Sequence, residues 1–596
     1  MNSKLTKAAI FLLSIGTAIL GGCSSNRGTE SQKKPNILLI MTDDQGYGDV
    51  GYHGNPYVRT PVIDSLAAAA ARIDPFYVSP VCAPTRASLM TGRYHLRTGV
   101  YDTYNGGAMM AASEVTLAEV LSGNGYHTAM IGKWHLGDNY PLRAMDQGFQ
   151  YVLAHKGGGI GQPGDDFGNF TRPDSSYFHP FLWENGTRVR RKGYCSDIFT
   201  EQAIAFIREH SERSPCQPFF LYLAFNAPHT PLQLPGPYAE EYADLEFDSA
   251  DFERTGFNLQ EMNERDLMDA RRVYGMVSNI DDNLKRLVTA MEEMDLMEQT
   301  LVVFLTDNGP QQRRYTAGLS GRKGSVLEGG IRVPCFFHWQ GNLEDRLITR
   351  PAAHIDIMPT LLEMAGIPSR GEMDGTSLVP LLKGEKSSPE ERSLFFVWAR
   401  GYPQRYTNMA VRKGDFKLAG FIEHGVPVDS LELYNLEVDP FERKPTGADH
   451  PAIKKELTAE LDSWYREMLS SSHLLEPPRI MIGSEHEDPV ILGRNDWKGP
   501  KVKRWASPDA YGYWDVEITD PGPYDVTLVF GDPFSRQGKA YVRAGIWQYW
   551  ITHRDTVLHE ITLQGVTFDP GKQMFEGWVE SRGRIYAPIC IEVAKQ

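Results

Sequence analysis

Four apolar runs in the first half of the chain end in short polar clusters whose side chains are the kinds that do chemistry. Asn36–Met41 runs into Thr42-Asp43-Asp44-Gln45-Gly46, and Leu301–Leu305 into Thr306-Asp307-Asn308-Gly309. Thr128–Ile131 precedes Lys133-Trp134-His135, and Phe219–Phe225 precedes Pro228-His229. In open α/β sheets ligands bind beyond the carboxyl ends of strands, so these ends can converge on one site. Asp43, Asp44 and Asp307 repel one another unless a cation compensates them, and with Asn308 they offer only oxygen donors. Such a set suits one hard ion, Ca²⁺ first and Mg²⁺ second, rather than Zn²⁺. Each cluster by itself reads as a turn or helix cap, because Asp, Asn and Gly favour such places. Two matched clusters at strand ends turn the reading toward metal.

The segment Cys82-Ala83-Pro84-Thr85-Arg86-Ala87-Ser88-Leu89-Met90-Thr91-Gly92-Arg93 is the second concentration of reactive residues. Pro84 suits the first turn of a helix, and Gly92 suits its end. Cys82 then lies at the helix N-terminus, where unpaired N–H groups favour anions. Arg86, one turn along, can reach back to the same point. A cysteine there reads equally as a low-pKa nucleophile or as a structural thiol.

These groups need a framework, and the patterning predicts an α/β fold. Buried strands with near-continuous apolar character alternate with helical stretches such as Asp197–Arg208 and Ala270–Met291, which implies a large, mostly parallel sheet flanked by helices. We place this catalytic unit at residues 35–384. A smaller α+β subdomain follows at 385–476, with strands at Leu394–Ala399 and Asp415–Leu418 and a helix at Ala452–Met468. Ser470–Ser472 and Pro477-Pro478 read as a linker. Residues 479–596 change to short strands and turns, the pattern of a C-terminal all-β sandwich, with strands expected at Trp514–Ile518, Tyr524–Phe530, Ala540–Trp550, Glu560–Phe568 and Ile589–Val593.

The chain has 596 residues and a net charge of −15. Its length calls for more than one domain. The charge excludes bulk nucleic-acid binding, which needs a basic footprint. An acidic protein still binds an anion where a few cations focus in one cleft. At the N-terminus, Lys4 and Lys7 precede the apolar run Ala8–Leu20, too short to span a bilayer and typical of a signal peptide. It ends in Leu20-Gly21-Gly22-Cys23, which resembles a bacterial lipobox. The expectation is a signal peptide at 1–22, lipidation of Cys23 and a tether at 23–34, giving an exported, membrane-anchored lipoprotein in the periplasm or on the cell surface of a bacterium. Cys195, Cys216, Cys335 and Cys590 are free to form disulfides after export, and are otherwise read as buried thiols.

Cys82-x-Pro84-x-Arg86 with the following Thr91-Gly92-Arg93 resembles the signature of the formylglycine-dependent sulfatases, type I enzymes of the alkaline-phosphatase superfamily. Asn36–Gly48, Gly132–Gly137, Ala227–Pro231, Thr306–Gly309 and Lys323–Pro334 are similar to further motifs of that family, in family order, so the resemblance spans about residues 35–470. It implies that Cys82 is oxidised to formylglycine by a maturation enzyme that reads Pro84 and Arg86. It implies a metal shell of Asp43, Asp44, Asp307, Asn308 and the modified residue 82. The hydrated aldehyde attacks sulfur, and its second hydroxyl allows sulfate to be eliminated. Arg86, Lys133 and Lys323 are implied to offset the charge of sulfate and nucleophile, His135 to act as the base for elimination, and His229, assisted by Lys323, as the acid for the leaving oxygen.

The implied function is hydrolysis of carbohydrate sulfate esters, exo-acting on sulfated galactose or N-acetylgalactosamine, with the 4-O-sulfate as first choice. His155, at the head of the glycine-rich segment His155–Gln162, and Arg313-Arg314 are the residues read as substrate contacts. Two other functions fit parts of the same pattern. A phosphodiesterase or phosphonate hydrolase of the same superfamily usually has His where this chain has Asn308. A non-catalytic glycan-binding lipoprotein would not need the intact catalytic set. The sandwich loosely resembles carbohydrate-binding modules at Tyr513–Ile518 and Gly522–Val526, and is read first as structural or as flanking the active site, with glycan binding second.

Overall fold

The computed structural model describes residues 34–596 except 173, 254–261, 369–370, 386–390, 422–429, 500, 503–504, 506, 508–509, 535–536 and 555–556. The expected signal peptide and Cys23 lie outside the described residues. Residues 34–596 form one compact unit. Among the described residues no helix is long and apolar enough to cross a membrane.

The central sheet is built from the runs that the sequence marks. Strand β1 (Asn36–Thr42) is apolar on both faces because both are covered. Ile37, Leu39 and Met41 enter one apolar layer, and Leu38 and Ile40 the other. Helix α1 (Cys82–Thr91) packs Ala83, Ala87, Leu89 and Met90 into the first layer. After β2 (His127–Lys133) and β3 (Tyr151–His155), helix α2 (Cys195–Arg213) covers the second layer. Strand β4 (Phe219–Ala224), helix α3 (Glu264–Glu293), strand β5 (Thr300–Thr306) and strand β6 (Cys335–His338) follow. In helix α3, Asn263 and Asp266 form a capping box at the N-terminus, and the apolar stripe joins the second layer.

The ten-stranded sheet carries these strands in the order β6-β5-β1-β4-β2-β3 at its centre. The five strands from β5 to β3 are parallel, in register from Thr42↔Thr306 through Met41↔Ala224 and Gly132↔Ala224. Antiparallel pairings begin at β6 on one side and at Phe181–Glu184 on the other. The α/β reading therefore holds, with parallel pairing confined mainly to the strands that carry the site. A meander of Leu394–Val397, Met409–Lys413, Phe416–Ala419 and Glu432–Asn435 forms the smaller sheet. Helix Pro451–Leu469 covers it with Leu457, Leu461, Trp464 and Met468.

Beyond residue 479, a six-stranded and a four-stranded sheet enclose one apolar core. One expected strand there is corrected. Ala540–Trp550 is a hairpin, with Gly538–Ala544 turning at Gly545 into Trp547–His553. Gly545 has φ 59°, and a positive φ of this kind suits a tight hairpin turn. The sandwich is docked on the α/β part. Met109 and Leu142 lie in the sandwich core, and Tyr140 N–H donates to Glu487 at 2.7 Å. The Ser470–Ser472 stretch, expected as a linker, is tied down: Ser471 Oγ donates to the Arg97 carbonyl at 2.9 Å. Cys195, Cys335 and Cys590 are buried free thiols.

Candidate active site

The carboxyl ends of β1, β2, β4 and β5 meet because the strands are parallel and adjacent. Asp43 and Asp44 leave β1, Lys133 and His135 lie at the end of β2, His229 follows β4, and Asp307 and Asn308 follow β5. All seven are 5% exposed or less. Helix α1 delivers Cys82 and Arg86 to the same point from the first apolar layer.

The buried charges are paired closely. Arg86 donates through Nη2 to Asp307 Oδ2 at 2.7 Å and through Nη1 to the Lys133 carbonyl at 2.9 Å. Lys133 Nζ meets Asp43 Oδ2 at 2.5 Å, and Lys323 Nζ meets Asp44 Oδ1 at 2.5 Å. Asn308 Nδ2 donates to Asp44 Oδ1 at 2.8 Å, which turns its own Oδ1 the other way. Burial disfavours charge on Asp44, yet Lys323 and His229 hold its pKa well below the usual range. Burial, then Asp43, push Asp307 up to about 6 against the pull of Arg86.

Three oxygens in this cluster are buried and have no hydrogen-bond partner: Asp43 Oδ1, Asp44 Oδ2 and Asn308 Oδ1. Potential ligand atoms of Asp43, Cys82 and Asp307 lie within 4.8 Å of one another. Orphaned buried oxygens are costly unless something satisfies them.

Both histidines are anchored by backbone. His135 Nε2 donates to the Thr103 carbonyl at 2.7 Å, so the neutral ring presents a bare Nδ1 to Cys82 Sγ, 3.4 Å away. Burial, then Lys133, hold its pKa well below the ordinary value. His229 Nδ1 donates to the Thr230 carbonyl at 2.7 Å and leaves Nε2 facing Asp44 Oδ2 at 3.8 Å. Burial, then Lys323, push it down to about 3.

Above Cys82 opens a cavity of about 370 Å³ whose lining includes His135, His229 and Lys323. Gly158 and Gln162 of the glycine-rich segment line it too. Glycines leave room for the histidines here: a Cβ on Gly158 would lie 2.8 Å from the His135 ring, and one on Gly159 would lie 3.0 Å from the His229 ring.

The residues read as substrate contacts fall elsewhere. His155 is 3% exposed and lines a separate small cavity beside Lys156 and Trp183. Arg314 is fully buried, with Nε and Nη2 each 2.7 Å from the Asp49 carboxylate and Nη2 also donating to the Asp44 carbonyl at 2.7 Å. It braces the turn that holds Asp44. Arg313 is half-buried and is not among the cavity-lining residues. Tyr104, Trp398, Arg400 and Trp505 do line the cavity, and sequence reasoning missed them. They come from three distant segments, so no spacing in the chain could have joined them.

Residues 35–367 match the sulfatase family, and residues 322–467 match the C-terminal family of N-sulphoglucosamine sulphohydrolase. The chain is similar to arylsulfatase A of Homo sapiens, 33% identical over 439 residues that cover 68% of this chain and 78% of that protein. It is 30% identical to N-acetylgalactosamine-6-sulfatase of Sus scrofa over 424 residues, covering 65% of this chain and 72% of that one. The crystal structure of Ps i-CgsB in complex with k-i-k-neocarrahexaose matches with a TM-score of 0.62 at 27% identity, covering 74% of this chain and 94% of that chain.

Proposed function

The chain belongs to the sulfatase family and is a sulfuric ester hydrolase, and from that premise we propose that it removes sulfate from a saccharide using a formylglycine made from Cys82 and one Ca²⁺. One observation carries the reading. Cys82 opens a helix at the floor of a cavity, among Arg86, Lys133, Lys323, His135, His229 and three orphaned oxygens.

The donor set fits a hard divalent cation, because every unsatisfied atom is an oxygen and two of the three belong to carboxylates. Asp43, Asp44, Asp307 and Asn308 would hold it, with an oxygen of the modified residue 82 standing where Cys82 Sγ stands here. When present, the cation supplies Lewis-acid polarisation of nucleophile and sulfate oxygen, and the hydrated aldehyde supplies the nucleophilic oxygen and a second hydroxyl from which sulfate can be eliminated.

The chain's own residues do the rest. Arg86, Lys133 and Lys323 are each positioned by an aspartate partner, so they are preorganised for an anion. His135 Nδ1, bare and aimed at residue 82, is placed to accept a proton from it. His229 Nε2 faces the cavity. It is neutral in the free site, and the negative charge of a bound sulfate ester favours its protonation before it donates to the leaving oxygen. The Lys323 ammonium stands at the same edge.

For the sugar we propose an exo-acting enzyme on galactose or N-acetylgalactosamine sulfate, with the 4-sulfate tested first. The relative named N-acetylgalactosamine-6-sulfatase supports the galacto class. The test is sulfate release from both sugars sulfated at position 3, 4 or 6, beside the gluco epimers, with mass spectrometry of the residue-82 peptide and elemental analysis of the same preparation. Formylglycine, about one Ca²⁺ per chain and preference for a galacto sugar are expected. Full activity with an unmodified thiol, or stoichiometric zinc, sinks the mechanism; preference for a gluco sugar sinks the substrate class.

The lipobox-like Leu20–Cys23 supports an exported lipoprotein anchored through Cys23. Cys23→Ser should move the enzyme to the soluble fraction, and a variant that stays lipidated and membrane-bound refutes the anchor.

A further inference from the structure

Four side chains around the cavity take no part in the chemistry above. Tyr104 neighbours Thr103, whose carbonyl anchors His135. Trp398 and Arg400 follow strand Leu394–Val397 of the smaller sheet, and Trp505 belongs to the C-terminal sandwich. The Arg400 guanidinium lies 4.6 Å from the centre of the Tyr104 ring and 4.7 Å from that of Trp398. The Tyr104 and Trp505 rings are 5.0 Å apart. Three aromatic faces and one guanidinium thus form a continuous wall beside the cavity over Cys82.

The wall is held from behind. Asp102, whose side chain is fully buried, accepts from Arg400 Nη1 at 2.9 Å and from Trp398 Nε1 at 3.2 Å. Arg400 Nη1 also reaches Thr103 Oγ1 at 3.1 Å, so both bonds use one nitrogen and leave Nε and Nη2 for a ligand. On the sandwich side, buried Arg494 donates to the Trp505 carbonyl at 2.6 Å and to the Ser507 carbonyl at 3.1 Å. Its other nitrogens hold the carbonyls of Pro588 and Ala587. The Trp505 and Ser507 carbonyls are therefore fastened to the sandwich core while the Trp505 ring leans on Tyr104.

A pyranose ring has a face of C–H groups and a rim of hydroxyls. Aromatic faces take the first, and a guanidinium edge takes the second. We propose that Tyr104, Trp398, Arg400 and Trp505 are the seat for the pyranose ring of the sulfated saccharide, so that the sandwich supplies part of the active site through Trp505. The seat rests on the saccharide reading above. It places the sugar beside the sulfate-binding cations, and it makes the sandwich a component of the substrate pocket rather than a separate glycan-binding module.

The test uses the full-length, metal-loaded, formylglycine-bearing enzyme and the sugar sulfate that it turns over best among the galactose, N-acetylgalactosamine and gluco compounds, with 4-nitrophenyl sulfate as a non-saccharide substrate and inorganic sulfate as inhibitor. Trp505→Ala should raise KM for the sugar sulfate at least roughly tenfold, with kcat changed far less, while the inhibition constant of inorganic sulfate stays put. Trp505→Phe should recover most of the loss. Trp505 also packs on the sandwich core, so Arg400→Ala, at an exposed side chain, is the second variant and should raise the same KM. If both alanine variants keep the wild-type KM, the seat is wrong. If the inhibition constant of sulfate rises in step with KM, the change is a general disturbance and the seat is again wrong. If the wild type cleaves 4-nitrophenyl sulfate but no sugar sulfate, the saccharide reading fails and the seat falls with it.

Discussion

Arg314 shows how a buried charge serves a site without touching its ligand. Its guanidinium is spent on the Asp49 carboxylate and on the carbonyl of Asp44. Asp49 in turn receives the Gly46 N–H at 2.6 Å, so one ion pair fixes the turn that aims Asp44. Removing one partner of a buried pair strands the other charge, at a cost of about 3–5 kcal/mol. Arg314→Met should therefore lower stability by about 3–5 kcal/mol in a denaturant titration, and the folded fraction should lose kcat on sugar and non-sugar sulfate esters alike, because the turn that aims Asp44 is no longer fixed. A raised KM with wild-type stability would restore Arg314 to the sugar. The same arithmetic of charge bears on the ligand. Asp43, Asp44 and Asp307 are matched by Arg86, Lys133 and Lys323. A divalent cation tips this balanced set positive, which is the condition for holding an anionic ester.

At the scale of elements, parallel strands bring the chemistry together and a glycine-rich loop closes on it. Gly158 is where these meet, since a methyl group there would stand 2.8 Å from Cε1 and Nε2 of His135. That ring is pinned by Thr103 and faces residue 82, so either ring or loop must shift. Gly158→Ala should lower kcat roughly 10- to 100-fold, as ångström-scale misplacement of a reacting group does, with a melting temperature close to wild type. Unchanged kcat would mean that the loop yields freely. Much of this level was legible in the sequence. The runs before Asp43, Lys133, His229 and Asp307 read as strands because burial on both faces forces unbroken apolar stretches. Pro84 and Gly92 bracketed the helix that carries Cys82. The hairpin within Ala540–Trp550 was hidden, because Gly545 and Ile546 form a turn too short to interrupt the strand pattern. His155 looked like a ligand contact for its place beside the glycines, but the end of β3 turns it toward Lys156. The cavity wall was illegible for another reason: Tyr104, Trp398 and Trp505 are neighbours only after three sheets have assembled.

For the molecule as a whole, the sandwich meets the α/β part through buried polar groups as well as Met109 and Leu142. Asn139 Nδ2 donates to the Ile491 carbonyl at 3.0 Å, and Gly106 N–H to the Asn495 carbonyl at 3.2 Å. Asp138 stands on one side of this joint and Asp496 on the other. Asp138 accepts the Gly157 N–H at 2.8 Å, and Asp496 is 2% exposed. Burial, then Asp496, raise Asp138 well above the usual range. Burial pushes Asp496 up to about 6, against Asn495, Lys156 and Lys498, which favour its charge. An unfolded aspartate titrates near ~3.9, so the folded chain holds this proton more tightly than the unfolded one. Stability from Asp496 is then full below about pH 4 and is lost as pH rises through about 6, on the order of 3 kcal/mol by neutral pH. Asp496→Asn keeps the neutral, hydrogen-bonding form at every pH. Its stability relative to wild type should therefore improve between about pH 5 and pH 8, read as melting temperatures at the two ends and as a flatter slope for the variant. Parallel slopes for the two proteins would show that the joint carries no such proton, and that the sandwich is held on the α/β part by its apolar contacts and neutral hydrogen bonds.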